Sequence, residues 1–239
     1  FDDRNGPAGA TVAGHRHLGR PYVGTAQGLY VLEPGPDPHF RRIPGIESQT
    51  WAFLSVGESL LVANYQGVYD VTGDTVALVQ KSGGSFALVA SVAQPGRVFV
   101  GQEGLASIRK VGDRWQDEGS LPGITDQIRS LFEDHNGALW LGSRGTGVLR
   151  LRFPAASPDG GIGAAKIERF GPGDGLPSMS SNGVTGIDGE LRFATTAGIY
   201  RFVEGSRRFE PDPRFAGLFA EPRAITGFTE GPGKGRWLA

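Results

Sequence analysis

The sequence has no cysteine, one methionine and no apolar run long enough to cross a bilayer. Without cysteine there is no disulfide frame, no thiolate metal site and no cysteine nucleophile. A membrane helix needs about 20 consecutive apolar residues, and the chain offers no such stretch. An excess of one charge is also missing: 24 Lys and Arg stand against 25 Asp and Glu, a net charge of −1. That balance gives no electrostatic case for nucleic acid or for an acidic membrane surface. The 39 glycines follow no Gly-X-Y period, which excludes a collagen-like chain. Absent cysteine fits an exported domain without requiring one.

What is present points to a packed protein. Hydrophobic residues make up 38% of 239 residues, with 14 Phe and 4 Trp, enough to build a core and to exclude wholesale disorder. Gly and Pro (39 and 16) approach one residue in four, which implies many short strands joined by turns.

One pattern recurs: an apolar pair, a small residue, polar residues, a glycine and a second apolar run. It reads Tyr22-Val23-Gly24-Thr25-Ala26-Gln27-Gly28-Leu29-Tyr30, then Leu61-Val62-Ala63-Asn64-Tyr65-Gln66-Gly67-Val68-Tyr69, then Phe99-Val100-Gly101-Gln102-Glu103-Gly104-Leu105. The fourth copy is Trp140-Leu141-Gly142-Ser143-Arg144-Gly145-Thr146-Gly147-Val148-Leu149 and the fifth is Phe193-Ala194-Thr195-Thr196-Ala197-Gly198-Ile199-Tyr200. The anchoring glycines 28, 67, 104, 147 and 198 are 39, 37, 43 and 51 residues apart. Residues 153–165, rich in Gly, Ala and Pro, read as a loop insertion within the longest interval. Each copy is a hairpin: the small residue closes one strand, the glycine supplies a positive-φ turn position, and the next apolar run returns. A short apolar stretch precedes each hairpin (Val12-Ala13, Trp51–Leu54, Phe86–Val92, Ile128–Phe132, Val184–Ile187) and another follows it (His39–Ile43, Thr75–Val79, Arg114–Gln116, Ile167–Phe170, Arg207–Glu210).

Four short strands per unit of about 40 residues predict an all-β fold, a β-propeller of four-stranded blades. A β-sandwich would not repeat one hairpin five times, and a solenoid would use a shorter period. The expected blades are 10–44, 46–83, 85–121, 124–171 and 179–212, with part of a sixth at 222–239. In that sixth unit Ala224–Phe228 reads as a first strand and Arg236–Ala239 as a second, while Phe1 matches the outer-strand aromatic of a preceding blade. Five full blades and a partial sixth imply a segment of a longer propeller.

The fourth unit is the most specific. Ile128–Ser143, with Asp134, Gly137 and Leu139-Trp140-Leu141-Gly142, resembles the two-component regulator propeller repeat. Gly147-Val148-Leu149-Arg150 and Gly198-Ile199-Tyr200-Arg201 are similar to that family's return strand, and Gly173-Asp174-Gly175-Leu176-Pro177-Ser178 to its inter-blade linker. The first three units lack the Asp-to-Trp element and carry Leu61 and Phe99 where the family has Trp. Asp134, Gly137 and Trp140 are expected to be structural, with the Asp134 carboxylate accepting backbone N–H groups of the turn.

The resemblance implies a non-enzymatic sensor. It places the chain in the periplasmic or extracytoplasmic part of a bacterial, membrane-anchored regulator, ahead of a β-sandwich, a transmembrane helix and a kinase or diguanylate cyclase output. Its implied partners are an unknown small ligand, with saccharides as one class, and the remaining blades and downstream domains; a homodimer of the full-length protein is compatible with it. No cofactor and no nucleic acid are implied. An interaction scaffold and a propeller lyase or sialidase-like enzyme stand as alternatives. Asp134-x-x-Gly137-x-Leu139-Trp140 is similar to the sialidase Asp-box but one residue longer, and a sialidase also needs an arginine triad and a Tyr nucleophile.

Other motifs fail on their own chemistry. Gly231–Gly235 lacks the first glycine and the Ser/Thr of a phosphate loop and reads as a strand-connecting turn. Gly171–Gly175 has no following helix to make a dinucleotide fingerprint. Glu133 and Asp134 are adjacent, so in a strand they face opposite ways. His15-Arg16-His17 lacks a third metal ligand and is expected to be a solvated loop. In a propeller the first strand of each blade lines the central channel, so polar residues entering it are the candidates for ligand contact: Gln49, Gln127, Arg129, Asn182 and Arg223, with Trp51 as a stacking surface.

Overall fold

The protein is represented by a computed structural model that describes residues 4–154, 165–217, 228–230 and 236–238. The chain forms two compact units, one of residues 1–90 and 95–119, the other of residues 91–94 and 120–239.

The first unit holds three sheets. They comprise β1 (Thr11–His17), β2 (Arg20–Thr25), β3 (Gly28–Glu33) and β4 (His39–Arg42); β5 (Thr50–Val56), β6 (Ser59–Asn64), β7 (Gly67–Thr72) and β8 (Thr75–Lys81); and β9 (Ala87–Ala90), β10 (Arg97–Gln102), β11 (Gly104–Val111) and β12 (Arg114–Ser120). The second unit holds β13 (Ile128–Glu133), β14 (Leu139–Ser143), β15 (Val148–Arg152) and β16 (Lys166–Phe170), then β17 (Gly183–Ile187), β18 (Glu190–Thr195), β19 (Gly198–Val203) and β20 (Arg208–Pro211). A further pair, β21 (Phe228–Glu230) and β22 (Arg236–Leu238), is antiparallel. Each of the five larger sheets is a four-stranded antiparallel meander in chain order, the construction of a propeller blade.

The repeat's invariant letters have steric causes. Gly67 has φ +138°, and a Cβ there would stand 1.8 Å from the Gln80 carbonyl oxygen; Gly147 has φ +82°, with 2.0 Å to the Phe170 oxygen. Both the turn and the close approach of the fourth strand therefore require glycine. The small residue ending the second strand answers a different need. A Cβ on Gly24 would meet Thr50 at the start of β5 at 2.8 Å, and one on Gly142 would meet the Asn182 carbonyl at 2.3 Å. There the next sheet's first strand passes over the second strand.

Packing follows the two-residue strand period. On β6, Leu60 and Val62 join Tyr22, Leu29 and Val31 of the first sheet. Leu61, between them, faces Val98, Val100 and Ile108 of the third. All are fully or nearly fully buried, each contributing about 2 kcal/mol. Burial of both faces explains why the central strands read as unbroken apolar runs. In the second unit Trp140, Phe170, Val184, Phe193 and Phe209 form one cluster between sheets.

Asp134 holds this arrangement locally. One carboxylate oxygen accepts from the Asn136 and Ala138 amides at 2.9 and 3.0 Å, and the other accepts from the Trp140 indole N–H at 2.8 Å. The Asp-to-Trp spacing is thus a single hydrogen-bonded turn. Glu133 points the other way and clasps residues 91–93 through the Ser91 hydroxyl at 2.8 Å and the Val92 and Ala93 amides. Arg150 is buried against the Trp140, Phe170 and Phe202 rings at 4.9–5.5 Å and donates to Glu168 at 2.8 Å. The expected linker turn at Gly173–Ser178 begins as a 3-10 turn over Pro172–Asp174.

Of the expected strand 224–228, Phe228 alone is described, and it opens β21. Phe1, the turn 231–235 and most of the insertion (155–164) lie outside the described residues.

Candidate functional site

The first strand of three sheets begins with a β-bulge. The register steps from Thr11 to Ala13, from Thr50 to Ala52 and from Ile128 to Ser130. Val12, Trp51 and Arg129 are therefore the extra residues, at one shared position. Ala87 pairs with Gly101 and Gly183 with Ala194, so Phe86 and Asn182 hold the same position in the other two sheets. Three of the sequence candidates thus occupy equivalent sites. The position just past the second strand faces this start and carries Ala26, Tyr65, Glu103, Arg144 and Thr196.

In the first unit these positions form an aromatic group. The Trp51 ring is edge-on to Tyr65 at 4.2 Å and tilted against Phe86 at 4.7 Å. Trp51 is half-buried, Tyr65 is 51% exposed, and Phe86 is buried. Gln49 is half-buried two residues before Trp51.

In the second unit the same positions are cationic. Arg129 Nε donates to Gln127 Oε1 at 3.0 Å, and Arg144 Nη1 donates to the same oxygen at 3.5 Å. The backbone fixes the pair, since the Arg144 amide donates to the Gln127 carbonyl at 2.9 Å and the Ser181 amide to the Arg144 carbonyl at 3.2 Å. Arg129, Ser130, Ser143, Arg144, Ser181 and Asn182 line a cavity of about 220 Å³. Asn182 is buried; its amide nitrogen donates to the Ser178 carbonyl at 2.9 Å, and its Oδ1 has no partner. The structure therefore brings Gln127, Arg129 and Asn182 together, and places Gln49 and Trp51 in the other unit. Arg223 lies outside the described residues.

No family model matches the chain, and no curated protein matches it. Solved structures do. The extracellular domain of the hybrid two-component system BT3049 from B. thetaiotaomicron aligns with a TM-score of 0.70 at 16% identity. The fold of this chain is similar to that of part of this extracellular domain. The alignment covers 97% of this chain and 32% of that one, so the chain spans about a third of the larger domain. A streptogramin B lyase aligns with a TM-score of 0.61 at 15% identity, covering 97% of this chain and 76% of the lyase. Virginiamycin B lyase from Staphylococcus aureus gives 0.60 at 12% identity, over 96% and 77%. At these identities the likeness is one of fold.

Two further clusters stand away from the bulge positions. His15 and His17 correct the loop expectation: both lie on β1, and His17 is buried. Strand alternation puts both rings on one face, where His15 Nε2 and His17 Nδ1 share the Ser55 hydroxyl at 2.8 and 2.9 Å. His17 Nε2 also lies 3.1 Å from the Glu58 carbonyl. Burial, and then the neighbouring His17, hold the His15 pKa below its ordinary value. The second cluster lines a cavity of about 290 Å³ beside the Asp134 turn, where His135, Glu190, Arg192 and Arg201 meet. Among the described residues no group of three His, Cys, Asp or Glu is gathered to hold a metal. No helix of the described residues is long and apolar enough to cross a membrane.

Tyr65 and Arg144 are residues of this candidate site that sequence reasoning missed. Their signal was present, because each occupies the same register in its repeat, directly after the small and polar residues that end the second strand.

Proposed function

We propose that the chain is a ligand-sensing propeller module from the extracytoplasmic part of a membrane-anchored regulator, a two-component kinase or a diguanylate cyclase. One observation carries this reading. The glycine anchors and small second-strand residues recur with the sheets, while the bulge position changes its chemistry from sheet to sheet: Val12, Trp51, Phe86, Arg129 and Asn182. A scaffold held constant around a position that varies is the economy of a recognition surface. The likeness in fold to a two-component extracellular domain supports the same reading. In a propeller this position faces the mouth of the central channel.

The residues favour recognition over catalysis. The Asp134 carboxylate is spent on its own turn and on Trp140, and Glu133 on the 91–93 loop. The test is a titration of the protein with a panel of saccharides, followed by melting temperature and by amide NMR. A saturable rise in melting temperature supports the sensor reading. Turnover of a panel member, or co-purification with a protein and no response to any saccharide, contradicts it.

A further inference from the structure

Strand β1 carries two imidazoles that the bulge positions do not use. His15 and His17 stand on one face of the strand, and Arg16 between them points to the other, where it donates to the Gly19 carbonyl at 3.3 Å. His15 Nε2 and His17 Nδ1 aim at one atom, the Ser55 hydroxyl oxygen on β5, at 2.8 and 2.9 Å. Neighbouring aromatics brace both rings. His15 stacks on Phe53 with 5.9 Å between centroids, and His17 stands edge-on to Tyr22 at 6.3 Å.

His17 is prepared as a ligand. Its Nε2 lies 3.1 Å from the Glu58 carbonyl, which only an N–H can satisfy, so the lone pair sits on Nδ1 and faces Ser55. A metal-bound histidine is usually oriented this way, ligating through one nitrogen and donating from the other to a backbone carbonyl. Burial, and then His17, hold the His15 pKa below its ordinary value, so this ring is neutral at neutral pH and has a lone pair to offer. The nearest cation in the register is engaged elsewhere: Arg20, opposite His17, donates to Glu33 at 2.9 Å. The third ligand is the hydroxyl. Atoms at about 2.0–2.1 Å from a tetrahedral ion stand roughly 3.4 Å apart. Ser55 is exposed, and its oxygen needs to draw back from each ring by only about half an ångström to admit an ion.

We infer that His15 Nε2, His17 Nδ1 and the Ser55 hydroxyl form a site for a late first-row divalent cation, Cu²⁺, Ni²⁺ or Zn²⁺, with water completing its shell. Two imidazoles and one neutral oxygen select these ions over Mg²⁺ and Ca²⁺, which call for several oxygen ligands. The His15 proton moves from Nε2 to Nδ1 on binding, and Ser55 keeps its own. The site joins β1 to β5 and stands independently of the sensor reading.

The test is calorimetric titration of the whole chain with Cu²⁺, Ni²⁺, Zn²⁺ and Mg²⁺ in parallel. Cu²⁺ is expected to saturate at one equivalent, to bind more tightly than Zn²⁺ and at least tenfold more tightly than Mg²⁺, and to raise the melting temperature. Its affinity should fall as pH is lowered from about 7.5 to about 5.5, because protons compete for both rings. His15→Gln is expected to lower Cu²⁺ affinity at least tenfold, while His39→Gln and His135→Gln, at the two other histidines of the chain, leave it unchanged. Electron paramagnetic resonance of the Cu²⁺ complex supplies a readout that does not depend on the variant's stability. It should show coupling to two ring nitrogens in the parent. Absence of that coupling, Mg²⁺ binding as tightly as Cu²⁺, no saturable binding of any of the three transition ions, or unchanged affinity in His15→Gln overturns the inference. An equal loss in His39→Gln or His135→Gln also overturns it, by making uptake a general property of exposed imidazoles.

Discussion

Asp134 shows how one side chain can fix a whole repeat unit. Its two oxygens receive three hydrogen bonds, two from the turn and one from the Trp140 indole, and Trp140 then fills the space between two sheets. Asp134→Ala should leave those donors without their acceptor and cost about 2–4 kcal/mol. Chemical denaturation followed by tryptophan fluorescence checks this. Asp134→Asn should cost less, because its amide oxygen still accepts from the turn. Glu168 supplies the pH counterpart. The hydrogen bond from Arg150, with help from Arg207, holds its carboxyl at about 2, down from an ordinary 4.5. A depressed carboxyl stabilises the fold fully above about 4.5, and that stability is lost as pH falls from there toward 2. Glu168→Gln should therefore lower stability at neutral pH, by roughly 3 kcal/mol because Arg150 is left with Glu204 alone. It should also flatten the stability curve between pH 4.5 and 2. A variant that keeps the parent's acid limb would contradict this. The Asp-to-Trp spacing was legible in the sequence, whereas the Glu133 clasp and the His15–Ser55–His17 group were not. Both depend on which chain segment a sheet happens to meet across 38 to 42 residues, and no local periodicity encodes that.

At the scale of the element, the hairpin is the unit. It was the most legible feature because its turn glycine and small residue answer to local sterics. The same argument ranks the glycines. Gly147 has φ +82° and 2.0 Å from a prospective Cβ to the Phe170 carbonyl, whereas Gly198 has φ +113° and open space. Gly147→Ala forces the backbone of two strands apart and should cost well over 2 kcal/mol, while Gly198→Ala should cost about 1 kcal/mol, the conformational term alone. Thermal melts of the two variants check the order, and equal melting temperatures would show that the fourth strand does not need the close approach. The bulge beginning the first strand was less legible. In the sequence Trp51, Arg129 and Asn182 stand out only as polar or aromatic residues near a strand start. Their equivalence appears once the register with Ala63, Gly142 and Ala194 is known.

At the scale of the molecule, five meanders repeat one scaffold and vary one position. In the first unit that position is aromatic, with Trp51 against Tyr65 and Phe86; in the second it is cationic and polar, with Arg129, Arg144 and Asn182. Stacking surfaces and guanidinium forks are the two means by which proteins hold sugar rings and acidic groups. The near-neutral net charge of −1 means that any preference for an anion is local, set by these residues rather than by the field of the whole protein.

The most direct measurement is site-resolved amide NMR of the protein during titration with the saccharide panel. The account predicts shifts gathered at the bulge positions and their facing partners: Trp51 and Tyr65 in one unit, or Arg129, Arg144 and Asn182 in the other. Shifts gathered instead at the cavity beside the Asp134 turn, around His135, Glu190 and Arg201, would contradict it.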